Sequence, residues 1–311
     1  MKMASITLTK KFTFRTDHYE YIIHWTCLGL DSGPPLIFIH GTPWSSYIWT
    51  PYVKALSSRY KVYLFDNPGF GKSSGGKPLS ATANPPDLDA SLAGQARAFA
   101  ALYKSWGFTD DRLPHIVAHD VGGLISLRAN ILHGCEYASL CLVDVVAICP
   151  FGSPFFRLVA QYPSVFDSIP GAVFQGMVRA YIQDASFKPL PSSVEEQLLN
   201  PWSAGGRQGQ EGFIRQMVQA DQRHVEVVEG RYSEVGAKIP VKVIWGQEDR
   251  WIPVDRAEKL GKMIKAREVV LVEEAGHLIM FDQPERLASE IAMWLMEMEM
   301  EMKSRDQLSR R

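Results

Sequence analysis

The feature that most constrains the fold is a series of short apolar runs separated by segments of helical spacing. The runs cover residues 35–39, 60–65, 115–118, 140–146, 241–245 and 268–272. Runs that are apolar on both faces are typical of strands buried between two layers of helices in a parallel sheet. Helical spacing lies between them, at residues 49–56, 92–106, 124–133 and 254–263. The alternation predicts an α/β fold with a mostly parallel central sheet flanked by helices.

Two parts of the chain depart from this alternation. Residues 11–15 and 19–27 are β-rich and close together, which predicts a hairpin at one edge of the sheet. Residues 147–235 contain several helical patterns but no buried strand, which indicates a helical insertion after the sixth predicted strand. Long insertions in compact domains usually have a functional role. We therefore expect a core domain of residues 1–146 and 236–311, with residues 147–235 forming a helical cap over an active site.

Composition and charge exclude several classes of function. The formal net charge of −1 gives no attraction to nucleic acid or to an anionic membrane. No stretch of 18 uninterrupted apolar residues is present, and residues 1–11 lack the apolar core of a signal peptide, so we expect a cytoplasmic protein. The four cysteines have no metal-ligand spacing, and we expect neither a metal nor a cofactor. The sequence leaves monomer and homodimer both open.

The segment around Asp120 favours a catalytic turn. An apolar strand pattern runs directly into a helical pattern, with Ala118 and Gly122 two residues before and after the acid. A sharp strand-to-helix turn strains the central residue, projects its side chain above the sheet and places it at a helix N-terminus, which stabilises negative charge. The alternative is that Asp120 only caps the helix. The pair Gly122-Gly123 favours the catalytic turn, because two glycines in a first helical turn cost stability and require a steric reason.

Three further segments follow predicted strands and supply complementary groups. Thr42, in His-Gly-Thr-Pro, is a candidate for one backbone N–H of an oxyanion hole, and Val121 for the other. Asp249 is the candidate acid and His277 the candidate base, so the chain order is nucleophile, acid, histidine, as in the triad of α/β-hydrolases. Asp144, at the end of the 140–146 run, is an alternative acid.

These segments resemble the haloalkane dehalogenase and epoxide hydrolase branch of the α/β-hydrolase superfamily. The resemblance covers most of the chain: residues 40–43 with 45–49 behind them, 66–74, His119-Asp120, 245–249 and Gly276-His277. It implies the α/β-hydrolase fold and identifies the helical insertion as the family's cap.

An aspartate at the turn narrows the reaction. A carboxylate that attacked an ester would form an anhydride, whereas at an sp³ carbon bearing a halide or an epoxide oxygen it forms an ester of Asp120. His277 would then deprotonate a water that attacks this ester, while Thr42 and Val121 stabilise the oxyanion. Asp249 would fix the His277 tautomer and stabilise the imidazolium.

The resemblance does not match a dehalogenase at two positions. Such enzymes usually have Trp directly after the nucleophile, and many have Asn after His-Gly. This chain has Val121 and Thr42 there, although Trp44 or Trp202 of the cap could donate an N–H to a halide.

An epoxide hydrolase requires a proton donor for the alkoxide, and the family uses cap tyrosines. Tyr162 and Tyr181 are the candidates, with Tyr232 at the end of the cap. The cap is rich in Phe, Val, Leu and Met, which favours an apolar small-molecule substrate. Epoxide opening is therefore the leading hypothesis. Haloalkane dehalogenation, a non-hydrolytic acid–base reaction (lyase, isomerase or cyclase) and a ligand receptor without activity are the alternatives.

Overall fold

A computed structural model describes residues 6–73, 75–80 and 88–309, with side chains up to Ser304. Residues 1–5 of the N-terminal segment and Ser74, the last residue of the 66–74 motif, lie outside the described residues. The statements below concern the described part of the chain.

The described strands form one mixed, mostly parallel sheet. They are β1 (Lys10–Arg15), β2 (Tyr19–Gly29), β3 (Pro35–Ile39), β4 (Lys61–Phe65), β5 (Lys77–Pro78), β6 (His115–Asp120), β7 (Ser139–Val145), β8 (Val241–Gly246) and β9 (Glu268–Val272). The order across the sheet is β1-β2-β4-β3-β6-β7-β8-β9, and β5 pairs with β2. All pairs from β4 to β9 along this order are parallel, while β1, β4 and β5 pair with β2 antiparallel. The predicted parallel sheet and edge hairpin are confirmed.

Helices cover both faces of the sheet and fill the insertion. The core helices are α1 (Thr50–Leu56), α2 (Leu92–Ser105), α3 (Val121–His133), α10 (Tyr232–Lys238), α11 (Asp255–Ile264), α12 (Ile279–Asp282) and α13 (Pro284–Ser309). The insertion contains α4 (Pro154–Gln161), α5 (Pro163–Asp167), α6 (Gly171–Asp184), α7 (Ser192–Ser203), α8 (Arg207–Val218) and α9 (Arg223–Glu229). Two short 3₁₀ helices span Ser46–Trp49 and Asp110–Arg112. None of the described helices has the length and apolarity needed to cross a bilayer.

Three details differ from the expectations. The unpredicted strand β5 makes β7, and not the sixth strand in chain order, the one that precedes the insertion. The expected boundary between residues 235 and 236 falls inside α10, which packs against α3 and α11 of the core. Strand β9 is not buried on both faces, because it lies at the edge of the sheet with three of its five residues exposed.

The central strands place the candidate site. All residues of β3, β6, β7 and β8 are buried, as expected for parallel strands covered on both faces. Because these neighbouring strands run in one direction, their carboxyl ends lie at the same edge of the sheet. Asp120 ends β6, Asp144 lies near the end of β7, and the loops that carry Thr42 and Asp249 follow β3 and β8.

Candidate active site

Asp120 sits on a strained strand-to-helix turn. It is the last residue of β6, and its backbone has φ 53° and ψ −129°, a region that non-glycine residues seldom adopt. A Cβ on Gly122 would lie 2.8 Å from the carbonyl oxygen of Ile39, and one on Gly123 would lie 2.4 Å from a Val145 methyl. The glycine pair therefore has a steric reason, because α3 starts in contact with the strands on either side of β6.

The Asp120 carboxylate lies between the two predicted amides. The backbone N–H of Thr42 donates to Oδ1 over 2.7 Å, and the backbone N–H of Val121 acts to lower the pKa of the same carboxyl. A Cβ on Gly41 would lie 2.3 Å from the Asp120 Cβ, so only glycine allows this loop to approach the acid. The structure thus brings together the candidate nucleophile and both candidate oxyanion-hole residues.

His277 bridges two carboxylates. Its Nε2 lies 3.3 Å from Asp120 Oδ2, and its Nδ1 donates to Asp249 Oδ2 over 2.9 Å. The other Asp249 oxygen accepts the backbone N–H groups of Trp251 and Ile252 at 2.7 and 2.9 Å. These three contacts fix the orientation of the Asp249 carboxyl group beside the histidine, as the role of an orienting acid requires.

Charge separation stabilises this arrangement. Burial acts to raise the pKa of Asp120, but the close contact with His277 Nε2 and the charges of His277 and His119 outweigh burial and leave the pKa below its usual value. Burial acts to lower the pKa of His277, but Asp249 and Asp120 together raise it to about 10. The resting site at neutral pH is therefore an imidazolium held between two carboxylates.

Asp144, the alternative acid, is not the partner of His277. Its Oδ1 accepts the backbone N–H of Gly246 over 2.7 Å, and its Oδ2 has no protein partner among the described residues. Burial, followed by the charge of Asp249, holds the pKa of Asp144 well above its usual value. His277 Nδ1 is hydrogen-bonded to Asp249, whereas Asp144 is bonded to the Gly246 amide, so Asp249 is the candidate orienting acid.

Neighbouring side chains hold the loop that carries the histidine. His119, 0% exposed, directs Nε2 at the backbone carbonyl of His277 over 2.9 Å, and burial lowers its pKa to about 3. Asp282 accepts the backbone N–H groups of Gly276 and Phe187 at 2.9 and 2.8 Å, which ties this loop to the cap. Both residues serve structure, and neither contacts Asp120 by a hydrogen bond.

An aromatic wall covers the histidine. The Trp251 ring stacks on His277 with centroids 5.0 Å apart, and Tyr181 of α6 stacks on Trp251 at 4.1 Å. Trp44 stacks on Trp251 at 5.6 Å, and its indole N–H is buried without a protein acceptor. Burial is the main cause of a strongly raised Tyr181 pKa, with smaller contributions from Asp120 and Asp249 that place this tyrosine near the triad. Trp44 and Tyr181, two of the predicted substrate-binding residues, therefore lie against the ring that stacks on His277.

The other candidate donors are placed elsewhere. Tyr162 is 48% exposed at the junction of α4 and α5, so the structure does not bring it to the buried triad. Tyr232 donates its hydroxyl to the carbonyl of Ala147 over 2.8 Å, and Trp202 donates its indole N–H to the carbonyl of Pro43 over 2.8 Å. These last two groups already have protein acceptors and hold the cap and core together.

Gln216 is a site residue that the sequence did not reveal. It lies on α8 of the cap, is 4% exposed, and accepts a hydrogen bond from the Thr42 hydroxyl through Oε1. It also lines both an outer cleft of about 450 Å³ between α8 and the 68–76 loop and a small inner void beside Val121. A glutamine in an amphipathic helix belongs to no motif, so no pattern indicated this contact.

The described side chains support acid–base and nucleophilic chemistry. Within the described residues no cluster of three or more His, Cys, Asp or Glu is arranged to hold a metal ion. What the site provides is a carboxylate nucleophile, a histidine within reach of it, and two backbone amides directed at the same carboxyl group.

Comparison with known proteins is consistent with this geometry. The chain belongs to the alpha/beta hydrolase family, whose model matches residues 36–290. A crystal structure of an alpha/beta hydrolase fold protein from Burkholderia ambifaria is 36% identical, with a TM-score of 0.82 over 93% of this chain and 98% of that one. The enzyme class and fold predicted from the sequence are confirmed: the protein is an α/β-fold hydrolase.

Curated relatives differ in the reaction they are named for. The acetyltransferase component of the acetoin cleaving system of Pseudomonas putida is 27% identical over 88% of this chain, which spans about two thirds (66%) of that relative's length. Fluoroacetate dehalogenase from a Burkholderia species is 32% identical over 43% of this chain and 42% of its own. Mouse epoxide hydrolase 4 is 23% identical over 84% of this chain and 73% of its own. The relatives therefore support the class and leave the substrate to be argued from the site.

Proposed function

We propose that this hydrolase acts at an electrophilic sp³ carbon by forming an ester of Asp120. The supporting observation is the Asp120 carboxylate itself, with Oδ1 on the Thr42 amide and Oδ2 facing His277 Nε2. In the first step one carboxylate oxygen attacks the carbon, and the leaving oxygen or halide departs with the bonding electron pair. A depressed pKa keeps Asp120 ionised for this step.

The second step requires His277 to become a base. Esterification removes the negative charge of Asp120, and with it two of the influences that raise the His277 pKa, while burial still acts to lower it. The ring gives its Nε2 proton to the base left by the group that protonated the leaving oxygen, or to solvent when a halide has left, and it then accepts a proton from water, whose oxygen attacks the Asp120 carbonyl carbon. The Thr42 and Val121 amides stabilise the resulting oxyanion. Its collapse breaks the bond to the substrate oxygen, which leaves as the alcohol with the proton held by His277, and the proton of the new carboxyl group returns to His277 to restore the resting state.

An epoxide is the proposed substrate class, with Tyr181 as the proton donor. Ring opening leaves an alkoxide that must be protonated, and the Tyr181 ring supports this role because it stacks on Trp251, which in turn stacks on His277. Phe155 packs on its other side with ring centroids 4.5 Å apart, and Phe213 contacts it edge-on. These neighbours favour an apolar substrate body.

Haloalkane dehalogenation is the second candidate, because Trp44 has a free N–H. A buried indole N–H without an acceptor is costly, and a halide leaving group is an acceptor that an N–H can stabilise without a proton transfer. Val121 stands directly after Asp120, where such enzymes usually have a second tryptophan, so no indole N–H is available from that position.

Isotope incorporation tests the covalent step. One turnover in ¹⁸O-water is expected to place label in the Asp120 carboxylate, and His277→Ala is expected to accumulate an adduct visible by intact mass. His277→Ala combined with Asp120→Asn is the matched control and must show no adduct. Absence of both label and adduct, with turnover intact, would mean an acid–base reaction instead. Ligand binding without any turnover would mean a receptor.

A substrate screen separates the two candidates. Epoxides, haloalkanes and carboxylic esters are offered to the wild type, to Tyr181→Phe and to Trp44→Phe. Epoxide turnover lost in Tyr181→Phe supports the first candidate, and halide release lost in Trp44→Phe supports the second. Ester hydrolysis as the only activity would refute both.

A further inference from the structure

Three buried amide side chains surround a small void behind the oxyanion hole. Asn67 follows β4, Gln95 lies on α2 and Gln216 lies on α8 of the cap, and their exposed fractions are 1%, 2% and 4%. The void they line has a volume of about 10 Å³ and also touches Thr42 and Val121. It is distinct from the space above the triad, because neither His277 nor Asp120 lines it.

Two of the amides present an oxygen without a protein partner. Asn67 donates Nδ2 to the backbone carbonyl of His40 over 3.1 Å, and Gln95 donates Nε2 to the backbone carbonyl of Pro68 over 2.8 Å. Carbonyl oxygens only accept, so these contacts fix which end of each amide is nitrogen. Asn67 Oδ1 and Gln95 Oε1 are therefore buried acceptors, and neither has a partner among the described residues.

The third amide supplies a donor from the cap. Gln216 accepts the Thr42 hydroxyl at Oε1, and its Nε2 is buried without a partner among the described residues. The residues around the void thus combine two acceptors from the core with one donor from the cap.

This pattern defines the ligand. Two carbonyl-type acceptors repel a halide or another anion, and an apolar group would leave three buried polar atoms unpaired, each at a cost of about 1–3 kcal/mol. A water molecule donates twice and accepts at least once, and about 10–15 Å³ is the volume needed to hold one. We propose that Asn67, Gln95 and Gln216 form a binding site for one water molecule that joins the cap to the core directly behind the oxyanion hole.

The site links cap position to the catalytic loop. The water donates to Asn67 Oδ1 and Gln95 Oε1 and accepts from Gln216 Nε2, so movement of α8 away from the core removes the donor. The same movement breaks the Gln216 contact with the Thr42 hydroxyl. Gln219, the residue directly after α8, also joins cap to core, but it bonds directly to the backbones of Ala90 and Leu88 and does not line the void.

Crystallography of the full chain tests the water directly. One ordered water is expected within about 2.7–3.2 Å of Asn67 Oδ1, Gln95 Oε1 and Gln216 Nε2. It is expected to remain in Gln219→Met and to be lost in Gln216→Met. A wild-type structure in which these three atoms bond one another, or in which an anion occupies the void, overturns the proposal.

Thermal unfolding tests the link in solution. Gln216→Met and Gln95→Met are each expected to lower Tm by about 2–4 °C, and the double variant by clearly less than the sum, because one shared water is lost only once. The pair Gln219→Met and Gln95→Met is the control, and the Tm changes of its two single variants are expected to add more nearly to that of the double variant. Full additivity of Gln216→Met with Gln95→Met would overturn the shared ligand.

Discussion

Replacing Asp120 by asparagine should lower the His277 pKa, so that the ring changes from an imidazolium at neutral pH to a neutral imidazole that can act as a base. Asparagine has the same shape as aspartate but carries no charge. It therefore resembles the proposed ester intermediate, in which residue 120 is also uncharged. In the wild type, Asp249 and Asp120 together raise the His277 pKa to about 10 against the effect of burial. In Asp120→Asn only Asp249 remains to hold the proton.

The size of the change follows from the distance between the charges. At the 3.3 Å that separates His277 Nε2 from Asp120 Oδ2, Coulomb's law with an effective dielectric constant of about 20 gives about 5 kcal/mol. This energy corresponds to about three to four pKa units. The His277 pKa in Asp120→Asn is therefore expected at about 6–7, close to the optimum for a general base near neutral pH.

Histidine NMR provides the assay. The ¹³C signal of the His277 ring is assigned by its absence in the spectrum of His277→Gln. This signal is then followed as a function of pH in the wild type and in Asp120→Asn. His119 is an internal control, since burial lowers its pKa to about 3 and its signal should stay neutral across the range. A His277 pKa that remains near 10 in Asp120→Asn would refute the reasoning, because esterification would then release no base.

Four other substitutions probe the site. Asp249→Asn is expected to lower kcat by about 10³–10⁴-fold because the imidazole loses its orienting anion, whereas Asp144→Asn is expected to retain activity. Asp144 should also report on stability: its pKa is raised on folding, so it destabilises the native state increasingly as pH rises above about 4. At neutral pH the free energy of unfolding of Asp144→Asn, measured by chemical denaturation, is expected to exceed that of the wild type by about 1.4 kcal/mol for each unit by which folding raises the Asp144 pKa. Near pH 3 the two proteins are expected to be equally stable. Equal stability at both pH values would contradict this prediction. Gly41→Ala is expected to lower kcat at least 10²-fold, since its Cβ would displace the nucleophile, with circular dichroism to check that it folds. Tyr181→Phe is expected to lower epoxide kcat about 10²–10⁴-fold, and equal loss in the exposed control Tyr162→Phe would argue against a specific role.

The sequence by itself determined the layers of the fold and the order of the reactive groups. Strands β3, β6, β7 and β8 are mostly apolar and buried at every position, and burial on both faces admits few arrangements other than a parallel sheet between helices. Asp120 and Gly122 could be interpreted locally, because a strand that turns directly into a helix leaves room only for small neighbours.

The tertiary structure decided which of several chemically suitable side chains meet. Asp144 lies near the end of β7 and Asp249 follows β8, and only the tertiary structure shows that the His277 ring is hydrogen-bonded to Asp249 while Asp144 accepts the Gly246 amide. Tyr162 and Tyr181 belong to the same cap, but one faces outwards and the other stacks on Trp251. Such choices depend on side-chain directions across elements far apart in the chain, which local patterns do not encode.

Gln216 is the clearest example of a contact that local sequence patterns do not predict. Its contact with Thr42 joins residues 174 positions apart, and a lone glutamine on a cap helix has no spacing or neighbour that marks it. Local sequence determines which segments form strands, helices and turns because those depend on nearby residues. The packing of the cap against the core determined which polar groups are buried together, because that depends on the whole chain.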